Sequence, residues 1–163
     1  MKHRNLFDGI KVIAVARQIA APFATYQLAL HGAEVLTIEN PKEIESMRLI
    51  EGAGNGLAKQ AMSHSYLAQA ANKKSMQLDI STPQGQEIFR RLAAEAEIVV
   101  ENLMAGAMAR YGLAYEHLTP LNPKLIYCSV TGYGQTGPTS RRAAIDGAVQ
   151  AVSGLMSLTG TTE

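Results

Sequence analysis

Lys11-Val12-Ile13-Ala14-Val15-Ala16, then Pro22-Phe23-Ala24-Thr25-Tyr26-Gln27-Leu28-Ala29-Leu30, then Gly32 and Val35-Leu36-Thr37-Ile38 are the segments that decide the fold. The first run is short, apolar and rich in β-branched residues, the composition of a strand buried on both faces. Pro22 opens a helical pattern carried by Phe23, Tyr26, Leu28 and Leu30, and Gly32 ends it. Val35 to Ile38 reads as a second buried strand. Two strands joined by a helical crossover form a β-α-β unit, and such a crossover makes the strands parallel.

Working outward, the segment from Asn40 to about Ser63 loses periodicity and gathers Gly52, Gly54 and Gly56, so it reads as a long loop. Long ordered loops are often functional. A third strand is expected over Ser75 to Ile80. Thr82 can then cap a helix and Pro83 can occupy its first position. This helix runs to about Ala96, with Ile88, Leu92 and Ala96 as its apolar face and Arg90, Arg91 and Glu95 on the remainder. Ile98-Val99-Val100 is a fourth strand. Short helices at Ala107 to Tyr111 and Tyr115 to Leu121 lead to a fifth, Leu125 to Val130, and then to a turn-rich loop over Gly132 to Gly137. Strands alternating with helices of this length predict an α/β fold, a parallel sheet with helices on both faces.

The 163 residues, 47% of them hydrophobic, suffice for one core and predict a single domain. Fifteen Lys and Arg against fourteen Asp and Glu leave a formal charge of +1, so no global field favours nucleic acid or an anionic membrane. Any anion site must be local. Cys128 is the one cysteine, which excludes an intrachain disulfide framework and any CxxC metal or redox motif, and a cytoplasmic protein is expected. Met1-Lys2-His3-Arg4 resembles the basic start of a secretory signal, but Asp8, Lys11 and Arg17 break up the apolar region such a signal needs next. No stretch approaches the roughly 20 apolar residues that span a bilayer.

Gly132-Tyr133-Gly134-Gln135-Thr136-Gly137 is a literal GxGxxG after a strand, as in dinucleotide-dependent oxidoreductases. That fingerprint should open directly into a helix and be followed about 20 residues later by an acid for the ribose. Here Pro138-Thr139-Ser140-Arg141-Arg142 comes next, and Val149 to Thr162 holds no carboxylate. The oxidoreductase reading therefore ranks last, below a glycine loop at the carboxyl end of a strand. Cys128 sits inside an apolar strand, where a thiol is usually a small buried hydrophobe. His3, His31, His64 and His117 lack ligand spacing, and no metal site is expected.

Several segments, in order, carry a resemblance. They are Leu6-Phe7-Asp8-Gly9-Ile10-Lys11-Val12-Ile13 with Ala20-Ala21-Pro22; Gly32-Ala33-Glu34-Val35-Leu36 with Ile38-Glu39; and Asn72-Lys73-Lys74-Ser75 with Leu78-Asp79. Gly85, Val99-Val100-Glu101-Asn102, Gly106 and the string from Asn122 to Pro138 complete them. Together they resemble the class III coenzyme A transferases of the CaiB/BaiF family, over nearly the whole chain. The resemblance implies that residues 1–163 are the N-terminal part of a Rossmann-like domain that binds coenzyme A at the carboxyl ends of its strands. It also implies an interlocked homodimer acting on acyl-CoA and carboxylate substrates, with coenzyme A as substrate and no tightly bound cofactor. Positions matching the family's coenzyme A contacts are Arg17 and Ala20 after the first strand, Leu78 in the third, and Asn102, Leu103, Ala107, Arg110 and Tyr111 after the fourth. Arg110 is the strongest phosphate candidate, since phosphates need guanidinium or backbone N–H donors.

Departures from the family pattern matter too. The glycine of its "AGP" is Ala21, and the arginine that comes after Glu39 against the adenine is replaced by Asn40, with Lys42 nearby. The glutamine that formyl-CoA transferases place beside the thioester aligns with Ile19, which argues against that substrate. Related racemases use a histidine where this chain has Ile145, which argues against proton abstraction there. The resemblance implies an aspartate nucleophile that attacks the thioester to give a mixed anhydride and free thiolate, and it puts that aspartate beyond Glu163. Asp146 is expected to be a helix-start acid and not its substitute. The leading expectation is therefore a coenzyme A transferase whose catalytic residue is not assigned within the chain. A non-catalytic coenzyme A-binding short form is the alternative.

Overall fold

The computed structural model describes residues 5–50 and 56–160, so His3, Gly52 and Gly54 lie outside the described residues. Five strands, β1 (Lys11–Val15), β2 (Glu34–Glu39), β3 (Lys73–Gln77), β4 (Ile98–Glu101) and β5 (Ile126–Ser129), form one sheet in the order β3-β2-β1-β4-β5. Every neighbouring pair is parallel. The chain steps outward from β1 to β3, then returns to the other side of β1 for β4. The order therefore reverses between β1 and β4, and open α/β sheets bind ligands at the carboxyl ends beside such a switch point.

Alternation along the strands builds two core layers. Val12, Ala14, Val35 and Val100 pack with Ala21 and Ala29 of α1 (Ala20–Leu30) on one face. Ile13, Val15, Ile38 and Val99 pack on the other against Phe89 and Ala93 of α3 (Pro83–Ala94). Met108 of α4 (Ala107–Arg110) and Leu118 of α5 (Tyr115–Leu118) complete this second layer. Thr82 caps α3 by accepting the Gly85 N–H at 3.1 Å, with Pro83 in its first turn. Gly85 is required for another reason: a Cβ there would sit 1.9 Å from the Asp79 carbonyl oxygen.

Several expectations need correction. The strand expected over Ser75 to Ile80 begins at Lys73 and ends at Gln77, because Asp79 accepts from both Ser81 N and Ser81 Oγ and folds the chain into a turn. The long loop contains 3-10 turns at Ser46–Arg48 and Ala58–Gln60, and it leads into α2 (His64–Ala70), an unanticipated helix capped by Ser63, which accepts from Tyr66 N at 3.1 Å. Of the face expected after Thr82, Ala96 is buried in the core and Leu92 packs against it, but Ile88 is 37% exposed, and the buried positions of α3 itself are Gly85, Phe89 and Ala93. The two stripes are about 100° apart, and the bulk of Phe89 turns its own more fully inward. Cys128 is exposed, because β5 is an edge strand with Ile126 also open to solvent. After the Gly132–Gly137 loop come α6 (Asp146–Val152) and α7 (Leu155–Leu158), and Asp146 does lie in the first turn of a helix. None of the described helices is long and apolar enough to cross a membrane.

Candidate functional site

A cleft of about 480 Å³ opens along the carboxyl ends of β1 and β2 and the segments after β3 and β4. Arg17, Asn40 and Leu78 line it, as do Leu103, Ala107, Arg110 and Tyr111. With Asn40, which stands at the family's adenine position, counted beside the eight matching positions, seven of the nine expected residues thus meet around one space. Ala20 and Asn102 are not on its wall. Ala20 is the first residue of α1 and is exposed.

Asn102 works on the backbone of the site. Its Oδ1 accepts the Arg17 N–H at 2.8 Å and its Nδ2 donates to the Arg17 carbonyl at 2.7 Å, so one side chain ties together the ends of β1 and β4. The adjacent Glu101 is buried, and its carboxylate accepts the Leu103 N–H at 2.9 Å. Burial pushes that carboxyl above its ordinary value, with the Ser129 hydroxyl and the Leu103 N–H pulling the other way. The two side chains set the course of the turn that carries Leu103 toward α4.

A polar cluster that sequence reasoning missed forms the wall at the end of β2. Arg48 donates to both oxygens of Glu39, from Nη2 at 2.7 Å and from Nε at 3.0 Å, a fork geometry only arginine offers. Its guanidinium carbon lies 3.7 Å from the centre of the Tyr66 ring, and the Tyr66 hydroxyl also meets Arg48. Ser75 Oγ donates to Glu39 at 2.6 Å. Burial raises the Glu39 carboxyl, but the hydrogen bonds from Arg48 and Ser75 outweigh it and hold the group below its ordinary value. The signals for this cluster are thin: Glu39 is visible only as part of the Ile38-Glu39 landmark, Arg48 falls in the segment without period, and Tyr66 follows it with no motif of its own. Glu43 is taken up by Arg17 at 2.5 Å, and Glu45 accepts the Gln18 N–H at 3.1 Å. Among the described residues, the three carboxylates on the cleft wall are therefore all engaged, and Asp146 is not among the lining residues.

The arrangement offers a long cleft with apolar stretches, backbone fixed by side chains, and cations. The sequence profile described as CoA-transferase family III matches residues 7–163. The chain belongs to CoA-transferase family III. Among its family III relatives, the succinate–glutarate CoA-transferase of Agrobacterium fabrum is 44% identical over 158 residues, which are 94% of this chain and 39% of that protein. The human succinyl-CoA:glutarate CoA-transferase is 42% identical over 160 residues, covering 98% of this chain and 36% of that protein. A crystal structure of a CaiB/BaiF family protein from Brucella suis superposes with a TM-score of 0.85 at 37% identity, covering 99% of this chain and 42% of that one. This family III chain therefore spans well under half the length of the relatives it matches.

Membership removes support from the oxidoreductase alternative, and so does the geometry. In a dinucleotide fold the glycine fingerprint occupies the turn after the first strand. Here that turn is Ala16-Arg17-Gln18, while Gly132 to Gly137 comes after edge strand β5 and opens into further turns, with the next helix starting only at Asp146. The acid at the end of β2, where a ribose would be held, is Glu39, and Arg48 already occupies both its oxygens.

Proposed function

We propose that residues 1–163 supply the N-terminal part of a coenzyme A-binding domain in an enzyme that moves coenzyme A between an acyl-CoA and a free carboxylate. The observation that carries this reading is the convergence of Arg17, Asn40, Leu78, Leu103, Ala107, Arg110 and Tyr111 on one cleft beside the β1/β4 switch point. Arg110 takes a phosphate of coenzyme A, and Ala107 at the start of the same short helix and Tyr111 just after its end border the nucleotide. Asn102 acts through the Arg17 backbone, holding the strand end against which the pantetheine arm runs. The protein works in the cytoplasm as a homodimer. The names of the relatives make four- and five-carbon dicarboxylates the first substrates to examine.

Transfer by this chemistry requires a carboxylate that attacks the thioester carbonyl, forming a C–O bond as the C–S bond breaks and the thiolate leaves. Glu39, Glu43 and Glu45 are each held by other groups, so among the described residues none of the cleft carboxylates is poised for that step. Residues 1–163 alone accordingly bind without turnover. The experiment mixes the purified, folded chain with succinyl-CoA and other acyl-CoA donors and a panel of carboxylates, and tracks new thioesters by mass spectrometry. Coenzyme A binding without new thioester is expected; turnover abolished by Asp146→Ala would overturn the reading of Asp146 as a helix-start acid.

A further inference from the structure

Among the described residues, four cationic side chains line the cleft: Arg17, Lys73, Lys74 and Arg110. Arg17 pairs with Glu43 at 2.5 Å and Lys74 with Glu34 at 2.5 Å. Among the described residues, neither Arg110 nor Lys73 has an ion-pair partner. Arg110 is exposed, whereas Lys73 is partly buried at the start of β3. Lys73 Nζ donates to the Pro22 carbonyl at 2.6 Å and to Thr25 Oγ1 at 2.9 Å. Both acceptors are neutral, so an ammonium with three donors keeps one N–H and its whole charge uncompensated.

Among the described residues, the surroundings do not supply the missing charge. From α1 come only Pro22 and Thr25. On β2, Val35 is the register partner of Lys73, and Glu39 further along is gripped by Arg48 from the 3-10 turn. From α2, Tyr66 and Gln69 reach the same wall, and the neighbours on β3 are Lys74, paired to Glu34, and Ser75, bonded to Glu39. A partly buried charge normally has a counter-charge or a dense set of hydrogen bonds.

We propose that Lys73 is an anion subsite on the β3 side of the cleft, where it takes a carboxylate or phosphate oxygen of the ligand. The subsite goes beyond the coenzyme A reading, in which Arg110 is the phosphate partner. Its oxyanion comes either from the nucleotide phosphates or from the distal carboxylate of a dicarboxylic acyl group. Burial lowers the Lys73 ammonium to about 8. An anion beside it raises that value again, so binding near pH 8 draws protons from solvent.

Calorimetry of the full chain at pH 8, in two buffers of different ionisation enthalpy, tests this with inorganic pyrophosphate, glutarate and coenzyme A as separate ligands. At least one ligand is expected to bind with net proton uptake. Lys73→Met should weaken that ligand about tenfold or more and abolish the uptake. Lys73→Arg should bind it without uptake, since a guanidinium does not titrate in this range. Whether pyrophosphate or glutarate responds identifies the source of the oxyanion. Wild-type protein that binds all three without proton uptake, or fails to bind any, overturns the subsite, as does folded Lys73→Met that matches wild type throughout. Coenzyme A binding that depends on Arg110, with none of the three ligands depending on Lys73, removes the subsite and leaves the coenzyme A reading standing. Lys73-dependent binding of pyrophosphate or glutarate without coenzyme A binding does the reverse.

Discussion

Asn102 grips the Arg17 peptide from both sides, accepting its N–H at 2.8 Å and donating to its carbonyl at 2.7 Å, across 85 positions of sequence. The end of β1 carries no regular partner beyond Val15, so this side chain replaces a rung of the sheet at the place where the strand order reverses. Asn102→Ala loses both bonds and should cost about 2 kcal/mol, while Asn102→Asp keeps the acceptor and should cost about 1 kcal/mol. Urea denaturation of the three proteins checks the order; equal midpoints would mean that the two strand ends are held by something else.

The Arg48–Glu39 fork ties the segment after β2 back to the sheet. Removing either partner leaves the other charged and mostly desolvated, so Arg48→Met and Glu39→Gln should each cost about 2 kcal/mol, with a coupling of about 1 kcal/mol or more in the double-mutant cycle. The pH dependence has a definite sign. Glu39 titrates below its ordinary 4.5 in the folded protein, so its contribution is present above that value and is lost as pH falls through the lower folded value. Arg48→Met should flatten this acid loss, which a series of urea titrations between about pH 3 and pH 6 would read.

Phe89 and Ile88 lie one residue apart on α3 but meet opposite environments, one fully buried and the other 37% exposed. Phe89→Ala should cost about 3–5 kcal/mol and Ile88→Ala less than about 1 kcal/mol. Thermal unfolding of both variants distinguishes the two candidate faces, and a larger loss at Ile88 would reverse the helix phase.

These particulars also mark how far the sequence could be read. The β-α-β unit over Lys11 to Ile38 was legible because a β-branched run, a helical period and Gly32 agree with one another. The phase of α3 was legible only in part, since Leu92 and Ala96 do meet the core but Ile88 does not, and Gly85, Phe89 and Ala93 form the buried stripe. Strand order was out of reach by local pattern, and with it the exposure of Cys128, which results from β5 lying at an edge. Landmark order brought seven cleft residues into view but not Arg48 or Tyr66, whose roles exist only once α2 and the 3-10 turn fold over the end of β2, and it showed Lys73 only as part of a landmark string, without its contacts to α1. The glycine string at Gly132 drew attention to the wrong strand, because a motif carries no information about which strand end it sits on.

Lys73 makes a prediction on stability that does not depend on any ligand. Burial lowers its ammonium from 10.5 to about 8, so between those values the unfolded chain binds more protons than the folded one and stability rises with pH. Relative to Lys73→Met, the wild type should therefore gain stability as pH climbs from about 8 to about 10.5, and the difference should be flat below that window. Urea midpoints of the two proteins across this range provide the check; parallel curves would show that Lys73 is not desolvated.

Titration of the chain with coenzyme A bears most directly on the central claim, that the cleft beside the β1/β4 switch point is a coenzyme A site. Calorimetry should give saturable binding at one site per chain, and folded Arg110→Ala should bind several-fold more weakly, because a charge-assisted phosphate contact is worth about 1.5–3 kcal/mol. NAD(H) under the same conditions should give no saturable heat. Absence of coenzyme A binding by the folded chain, or equal affinity in wild type and Arg110→Ala, would contradict the site as assigned.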